Sequence, residues 1–231
     1  MLHFDEQLAE LNDELTLMGN NCVKIIGASI KTLFERDDGR ELYKQNYAIV
    51  MALENEINLN ERATESLCMR LLLRYQPVAR DFRAISSALK LISDMERIGD
   101  QAMEIAVLSR HIKPSKVEDE TFANIKSMAE ETSKMVTRSV LSFTNKDSEL
   151  AKHVIEYDRV VDELFFKVRS EVIAYLGSVE SSRSELYVDL LMVAKYLERI
   201  GDHAVNVGEW VYYSITGEHV RTVTAPDGDT V

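Results

Sequence analysis

One segment of this 231-residue chain occurs twice. DMERIGDQAMEIA (94–106) returns as YLERIGDHAVNVG (196–208), and each position of the second copy lies 102 residues after its counterpart. Five consecutive residues, ERIGD, are identical in the two copies. Similarity at a fixed interval predicts an internal duplication, so the chain must fold as two equivalent units of about 100 residues.

Both copies lie in long stretches with the spacing of an amphipathic helix. Apolar residues recur at alternating steps of four and three, which marks the face that a helix buries. Each stripe is interrupted by a glutamate and, three residues later, by a glycine, and an aspartate follows directly. We expect the glycine to let a neighbouring backbone approach closely, with the two carboxylates lining the seam. The apolar positions are Phe82, Ile85, Leu89, Ile92, Met103 and Ala106 in the first copy, and Tyr187, Leu191, Ala194, Val205 and Tyr212 in the second.

This pattern is unfavourable unless something offsets it. Like charges four residues apart repel by about 0.2–0.5 kcal/mol, and a glycine inside a helix costs about 1 kcal/mol relative to alanine. Two explanations are open: the acids bind a cation, or they form interhelical salt bridges with Arg97, Arg159, Arg199 and other basic residues. Arg97 and Arg199 lie about 100° around the helix from the preceding glutamate. We therefore expect them not to neutralise it within the helix.

The whole chain reads as six helices. The spacing predicts helices over 4–35, 41–75, 80–112, 119–144, 148–176 and 184–216, and all three prolines fall outside them. Alternation typical of strands is absent from the sequence. The fold class is therefore all-α, a tandem duplication of two antiparallel three-helix bundles joined end to end. The repeats span 1–113 and 114–217, and a flexible polar tail follows at 218–231.

The middle helix of the second repeat adds another acidic pair, Asp158 and Asp162. The corresponding residues of the first repeat are Glu54 and Asn58, so each repeat would place oxygen ligands from two adjacent helices on one face. Such clusters suit Mg²⁺, Mn²⁺, iron or, less selectively, Zn²⁺. The candidate metal ligands are Glu54, Asn58, Glu96, Asp100 and Glu104 in the first repeat, and Asp158, Asp162, Glu198, Asp202, His203 and Asn206 in the second.

Charge and cysteine content exclude several classes of function. Lys and Arg number 27 against 39 Asp and Glu, a net charge of −12, which argues against nucleic acid, anionic membranes or free phosphate as the main ligand. The two cysteines, Cys22 and Cys68, lack CxxC spacing and are expected to be free thiols. The acidic N-terminus does not resemble a signal peptide, and no apolar run reaches the roughly 20 residues of a membrane span. We expect a cytoplasmic protein.

Motifs for catalysis are missing. No histidine follows a glutamate at the Glu-x-x-His spacing of di-iron carboxylate enzymes, and glycine-rich phosphate loops and nucleophile elbows are absent from the sequence. The leading expectation is a non-enzymatic protein that acts by contact with partners. A metal-dependent enzyme or metal store, and a structural helical scaffold, remain alternatives.

Three segments carry a resemblance to a known family. QPVARDFR (76–83), LISDMERIGD (91–100) and YLERIGDHAVNVGEWVYYSITGE (196–218) resemble, in order, the PhoU family of bacterial phosphate signalling. The resemblance implies a two-bundle, usually homodimeric, cytoplasmic regulator without enzymatic activity. It implies an adaptor between the ATPase subunit of the phosphate ABC transporter and a membrane sensor histidine kinase, which represses the phosphate regulon when phosphate is plentiful. Membrane contact would be indirect, through these partners.

The resemblance also bears on metals. Some members bind multinuclear iron or zinc clusters through E(D)xxxD acids, which implicates Glu96, Asp100, Glu198 and Asp202, with Asp158 and Asp162 beside them. The chain departs from the family pattern at Glu54 and Asn58, where two aspartates are favoured. We therefore expect the first cluster to be the weaker metal site.

Overall fold

The computed structural model describes residues 2–35, 41–112, 120–177 and 184–220. These ranges contain six helices and no strand, which confirms the predicted fold class. The predicted helix ends are correct to within three residues. The predicted breaks at 36–40, 113–119 and 178–183, and the tail from 221, lie outside the described residues. The helices are α1 (Leu2–Phe34), α2 (Glu41–Tyr75), α3 (Ala79–Ser109), α4 (Glu120–Asn145), α5 (Ser148–Leu176) and α6 (Ser184–Thr216).

Local chemistry explains where the helices end. Pro77 supplies no backbone donor and disfavours helical geometry in the residue before it, so α2 stops there and the chain turns into α3. Gln76 and Ala79 flank this corner with positive φ angles of 46° and 49°. At the start of α5, the Asp147 side chain accepts hydrogen bonds from the backbone N–H groups of Glu149 and Leu150, which satisfies two otherwise unpaired donors.

Helices α1, α2 and α3 pack as one bundle, and α4, α5 and α6 as another. The expectation that the bundles join end to end was wrong, because they lie side by side. The contact between α3 and α6 is the most extensive in the molecule, and α1 also packs on α4. The physical reason is the width of the apolar face of α3, where Ile85, Ala88, Leu91, Ile92 and Met95 are all buried. A face this wide covers the neighbours within its bundle and α6 as well.

The outer helices α2 and α5 pack chiefly within their own repeats, and both leave large apolar side chains in solvent. Leu73 on α2 is 74% exposed and Phe166 on α5 is 58% exposed. Phe82, expected on the buried stripe of α3, is 50% exposed, because it lies in the first turn of the helix, at the end of the bundle.

Cys22 and Cys68 are buried free thiols, as expected. Burial raises the pKa of each thiol to about 12, so neither is a reactive thiolate near neutral pH. Among the described helices, none has both the length and the apolar character that a membrane-spanning segment needs.

Candidate functional site: two acidic seams between helices

The two ERIGD glycines lie where a middle helix crosses the third helix of its repeat. A Cβ added to Gly99 would lie 3.2 Å from Ile57 Cδ1, and one added to Gly201 would lie 3.4 Å from Asp158 Oδ1. The closest neighbours are therefore side chains of α2 and α5 rather than the backbone that we expected. Close backbone approach occurs two turns further on, where a Cβ at Gly208 would lie 3.1 Å from the carbonyl oxygen of Ala151.

The second acidic site, defined as Asp158, Asp162, Glu198 and Asp202, brings four carboxylates together between α5 and α6. Burial and then repulsion from the other three raise the pKa of Asp158 to about 7. Burial and the charge of Glu198 also raise the pKa values of Asp162 and Asp202. Part of the Asp158 population is therefore protonated at neutral pH, and the seam favours added positive charge.

Lys195 supplies one positive charge to this site. Its Nζ donates a hydrogen bond to Glu198 Oε2 and lies 5.3 Å from the centre of the Phe165 ring. The ammonium lowers the pKa values of Asp162 and Asp202 against the larger effect of burial. Sequence reasoning missed this residue, although a lysine three positions before Glu198 on a helix is placed to reach it.

The first acidic site, defined as Glu54, Asn58, Glu96 and Asp100, lies between α2 and α3. Burial raises the pKa of Glu96, and Asp100, Glu61 and Glu54 add to the shift. Glu61 was also missed, although it follows Glu54 by two turns on the same face of α2. Asn58 Nδ2 donates to Glu54 Oε1 at 2.6 Å. The Asn58 amide therefore occupies the position that the Asp162 carboxylate has in the second site. It donates a hydrogen bond to Glu54 instead of repelling it.

Arg97 neutralises part of the first site, contrary to our expectation. Its Nε lies 3.6 Å from Glu96 Oε2, and its Nη1 lies 3.7 Å from Asp100 Oδ2. The long side chain folds back along α3, so an angular offset of about 100° at the backbone does not keep the guanidinium from its neighbours. Arg97 remains 60% exposed, and it lowers the pKa of Glu96 against the effect of burial.

Three candidate ligands lie outside the two sites. His203 Nδ1 and Asn206 Nδ2 each lie 2.9 Å from Asp94 Oδ1, so both face α3 across the boundary between the repeats. Glu104 is exposed. Burial raises the pKa of Tyr196 on α6, and the charge of Glu104 adds to that shift. These residues join the repeats to each other rather than extending either acidic site.

The interhelical salt bridges of the alternative explanation are not formed by these arginines in the described residues. Arg97 acts within α3, Arg159 contacts Glu163 within α5 at 3.7 Å, and Arg199 has no ion pair in the part of the chain that the structure describes. Nor do any three His, Cys, Asp or Glu side chains there converge closely enough to hold a metal ion. The four hard carboxylates of the second site fit a cation chemically, and their side chains would have to turn to ligate it.

Known proteins share both the sequence and the fold. The PhoU domain family matches residues 15–108 and 125–211, one match in each repeat. A phosphate-specific transport system accessory protein PhoU homolog from Pseudomonas aeruginosa is 30% identical over 220 residues, covering 95% of this chain and 88% of that protein. A homolog of the same name from Xylella fastidiosa is 34% identical, with coverages of 94% and 87%.

Solved structures agree. The crystal structure of PhoU from Pseudomonas aeruginosa superposes with a TM-score of 0.84 at 30% identity, covering 93% of this chain and all of that one. The phosphate transport system regulatory protein PhoU from Streptococcus pneumoniae, at 24% identity, shares the fold with a TM-score of 0.82. Both repeats, and the order of their helices, are accounted for. The chain therefore belongs to the PhoU family.

Proposed function

We propose that this protein is a cytoplasmic, non-enzymatic negative regulator of the phosphate regulon and a modulator of phosphate uptake. The observation that carries the proposal is the family match in both repeats. The chain also matches, along nearly their whole length, relatives that are named accessory proteins of the phosphate-specific transport system. An accessory protein acts through its partners. We propose that these are the ATPase subunit of the phosphate ABC transporter and a sensor histidine kinase, and that the protein works as a homodimer.

The outer helices support a role in docking. Large apolar side chains stand in solvent along them, and isolated side chains of this kind are ordinary whereas rows of them mark contact surfaces. The chain carries a net charge of −12, which favours partners with basic patches. The exposed apolar residues are Ile49, Met51, Leu59, Met69 and Leu73 on α2, and Phe166, Ile173 and Leu176 on α5.

Deleting the gene tests the regulatory role. We expect a phosphate-repressed phosphatase to become active in phosphate-rich medium, and a plasmid copy of the wild-type gene to restore repression. Unchanged repression in the deletion strain would contradict the proposal. Robust turnover of phosphoesters or of oxidisable metal by the purified protein would instead favour an enzyme or a metal store.

Pull-down against the ATPase subunit and the kinase tests the docking surface. The double variant Leu59→Glu, Leu73→Glu places charge in the exposed row of α2 without entering the core, and we expect at least about a tenfold loss of capture, as for a contact hot spot. Gln45→Glu, an exposed change on the same helix, is the matched control and should bind normally. Equal capture of both variants would place the partner surface elsewhere.

We further propose that the second acidic site takes iron or zinc, or alternatively Mg²⁺ or Mn²⁺. Asp158, Asp162, Glu198 and Asp202 would hold the ion, which would cancel their repulsion and fix the spacing of α5 and α6. The first site, where Arg97 and Asn58 already offset charge, is the weaker candidate.

Elemental analysis of protein purified without a histidine tag tests metal binding. The double variant Glu198→Gln, Asp202→Asn should lose metal and, with it, stability. The control variant Glu149→Gln, Glu163→Gln removes two exposed carboxylates from α5 and should keep its metal. If the double variant is more stable than the wild type and contains no less metal than the wild type does, these acids are uncompensated charge. Regulation that persists in metal-free protein would separate the two proposals.

A further inference from the structure

A cavity of about 460 Å³ lies at one end of the molecule, where the first halves of α1 and α3 meet the last turns of α4 and α6. Its volume is in the range that binds small molecules, about 300–1,000 Å³. Arg80, at the near end of α3, precedes Glu96 by 16 residues, or about 24 Å of helix. None of the residues that line the cavity belongs to either acidic site, and no function assigned above uses it.

The walls and the mouth of this cavity differ in chemistry. Its interior is lined by apolar side chains from all four helices, including Leu8, Leu15, Leu91, Phe143 and Val211. Its mouth carries two cations and two carboxylates, and none of the four forms an ion pair with the described residues. They are Asp5, Arg80, Asp81 and Lys146.

Ser87 on α3 lines the cavity and is only 1% exposed, yet its hydroxyl has no hydrogen-bond partner in the described part of the chain. The other buried serines behave differently, since Ser29, Ser109, Ser139 and Ser142 each donate to a carbonyl oxygen of their own helix. Buried polar groups in native proteins nearly always have a partner. An unpaired hydroxyl beside an apolar chamber therefore calls for a polar atom on whatever fills it.

The spacing of these features along α3 sets the order of groups in a ligand. Ser87 lies seven residues beyond Arg80, about 10 Å of helix, and Leu91 lies about 6 Å further along α3. A ligand that meets all three levels has a charged head at the mouth, a hydrogen-bonding group midway and a short apolar chain beside Leu91. Because the unpaired charges at the mouth are of both signs, a head with both charges complements them best.

We propose that this cavity binds a small acylated molecule, an ester or amide with a short acyl chain and a zwitterionic head. Its carbonyl oxygen accepts a hydrogen bond from the Ser87 hydroxyl, and its chain packs on Leu15 and Leu91. Its head meets Arg80 and Lys146 on one side and Asp5 and Asp81 on the other.

Calorimetric titration of the full chain with hexanoylcarnitine tests the proposal directly. A ligand of this size at ordinary efficiency should bind one site with a Kd on the order of 0.1 mM. Carnitine, which lacks the chain, hexanoate, which lacks the positive charge, and hexylamine, which lacks the negative one, should each bind at least about tenfold more weakly. Absence of saturable binding, or equal binding of hexanoate, would overturn the proposal.

Two matched pairs of variants locate the site. Ser87→Ala should weaken hexanoylcarnitine binding by about three- to tenfold, the effect of one hydrogen bond, whereas Ser86→Ala removes a hydroxyl that donates to the Arg83 carbonyl oxygen and should change nothing. Ala84→Phe projects a ring into the cavity from an exposed position and should abolish binding, whereas Ala123→Phe, exposed on α4, should not. Tighter binding to Ser87→Ala, or normal binding to Ala84→Phe, would overturn the assignment.

Discussion

The two acidic sites occupy equivalent places in the two repeats, but different groups offset their charge. In the first, Arg97 spans Glu96 and Asp100, and Asn58 donates to Glu54. The second keeps four carboxylates with Lys195 as their hydrogen-bonded cation. The duplication thus preserved the helix crossing and let the side chains on it diverge. One site is largely satisfied by the chain itself, and the other retains unbalanced negative charge.

The largest expected effect tests whether the crossing itself is equivalent in the two repeats. Gly99→Leu and Gly201→Leu each force a branched side chain into a buried seam, against Ile57 in one case and against Asp158 and Val161 in the other. We expect each variant to lose about 1–3 kcal/mol or more of unfolding free energy through overpacking, measured by urea denaturation. Gly27→Leu, where no atom lies near an added Cβ, is the control. A neutral effect at either seam glycine would show that its crossing is loose.

The next effect concerns where the second site ends. Asp94→Ala removes the acceptor shared by His203 and Asn206, and should cost about 1–2 kcal/mol of unfolding free energy because two donors lose their partner. Metal content should stay unchanged, because these residues belong to the boundary between the repeats. Loss of metal with this variant would return His203 and Asn206 to the second site.

A pH series compares the charge balance of the two sites. The pKa of Asp158 rises from an ordinary 3.8 to about 7 on folding, so the unfolded chain ionises first and stability falls as pH rises from about 4 to 7. Asp158→Asn removes this loss. In the presence of a chelator we expect the variant to match the wild type at pH 4 and to exceed it at pH 8. The gain should be only about 1–2 kcal/mol, because solvent screens a partly accessible group.

Glu54→Gln, at the equivalent position of the first repeat, is the control for Asp158→Asn and should stay within about 0.5 kcal/mol of the wild type at both pH values. Equal pH dependence of Asp158→Asn and the wild type would show that the second site is already neutralised.

The smallest effect separates the two arginines of the ERIGD segments. Arg97→Gln removes an exposed side chain that contacts two carboxylates and should cost about 0.5 kcal/mol, less at high salt. Arg199→Gln should change the unfolding free energy by less than this, because Arg199 has no ion pair among the described residues. The comparison is made by denaturation at low and high salt. A larger loss for Arg199→Gln would reverse the assignment of charge balance.

The sequence was sufficient for the helices and for the acidic positions at the two helix crossings, because both follow from periodicity. It missed Lys195 and Glu61, and three of its candidates, Glu104, His203 and Asn206, lie outside the two sites. No proline falls inside a predicted helix, and the 102-residue interval aligns Glu96 with Glu198 and Asp100 with Asp202. A face of a helix is a local property, so the spacing of Asp158 and Asp162 was enough to assign them to the seam. Asp158 and Asp162 lie beside Glu198 and Asp202 between α5 and α6, and their role as metal ligands stays a prediction.

What the sequence could not supply depends on distance across the molecule and on side-chain reach. The side-by-side packing of the bundles follows from the total width of the α3 face, which no single stripe reveals. His203 and Asn206 have helical positions close to the second site, but their partner, Asp94, lies more than 100 residues away. Arg97 reaches its acids because long side chains fold along a helix, which backbone angles alone do not describe.

The shared contact of α3 and α6 has a consequence for how such a duplication can evolve. Either repeat produced alone would expose the apolar face of α3 or α6 to water, and would aggregate or form a dimer with itself. Once the two repeats are fused, neither can be lost, exchanged or inherited separately. Each substitution in one repeat must remain compatible with the surface of the other. A doubled gene has in this way become a single heritable object.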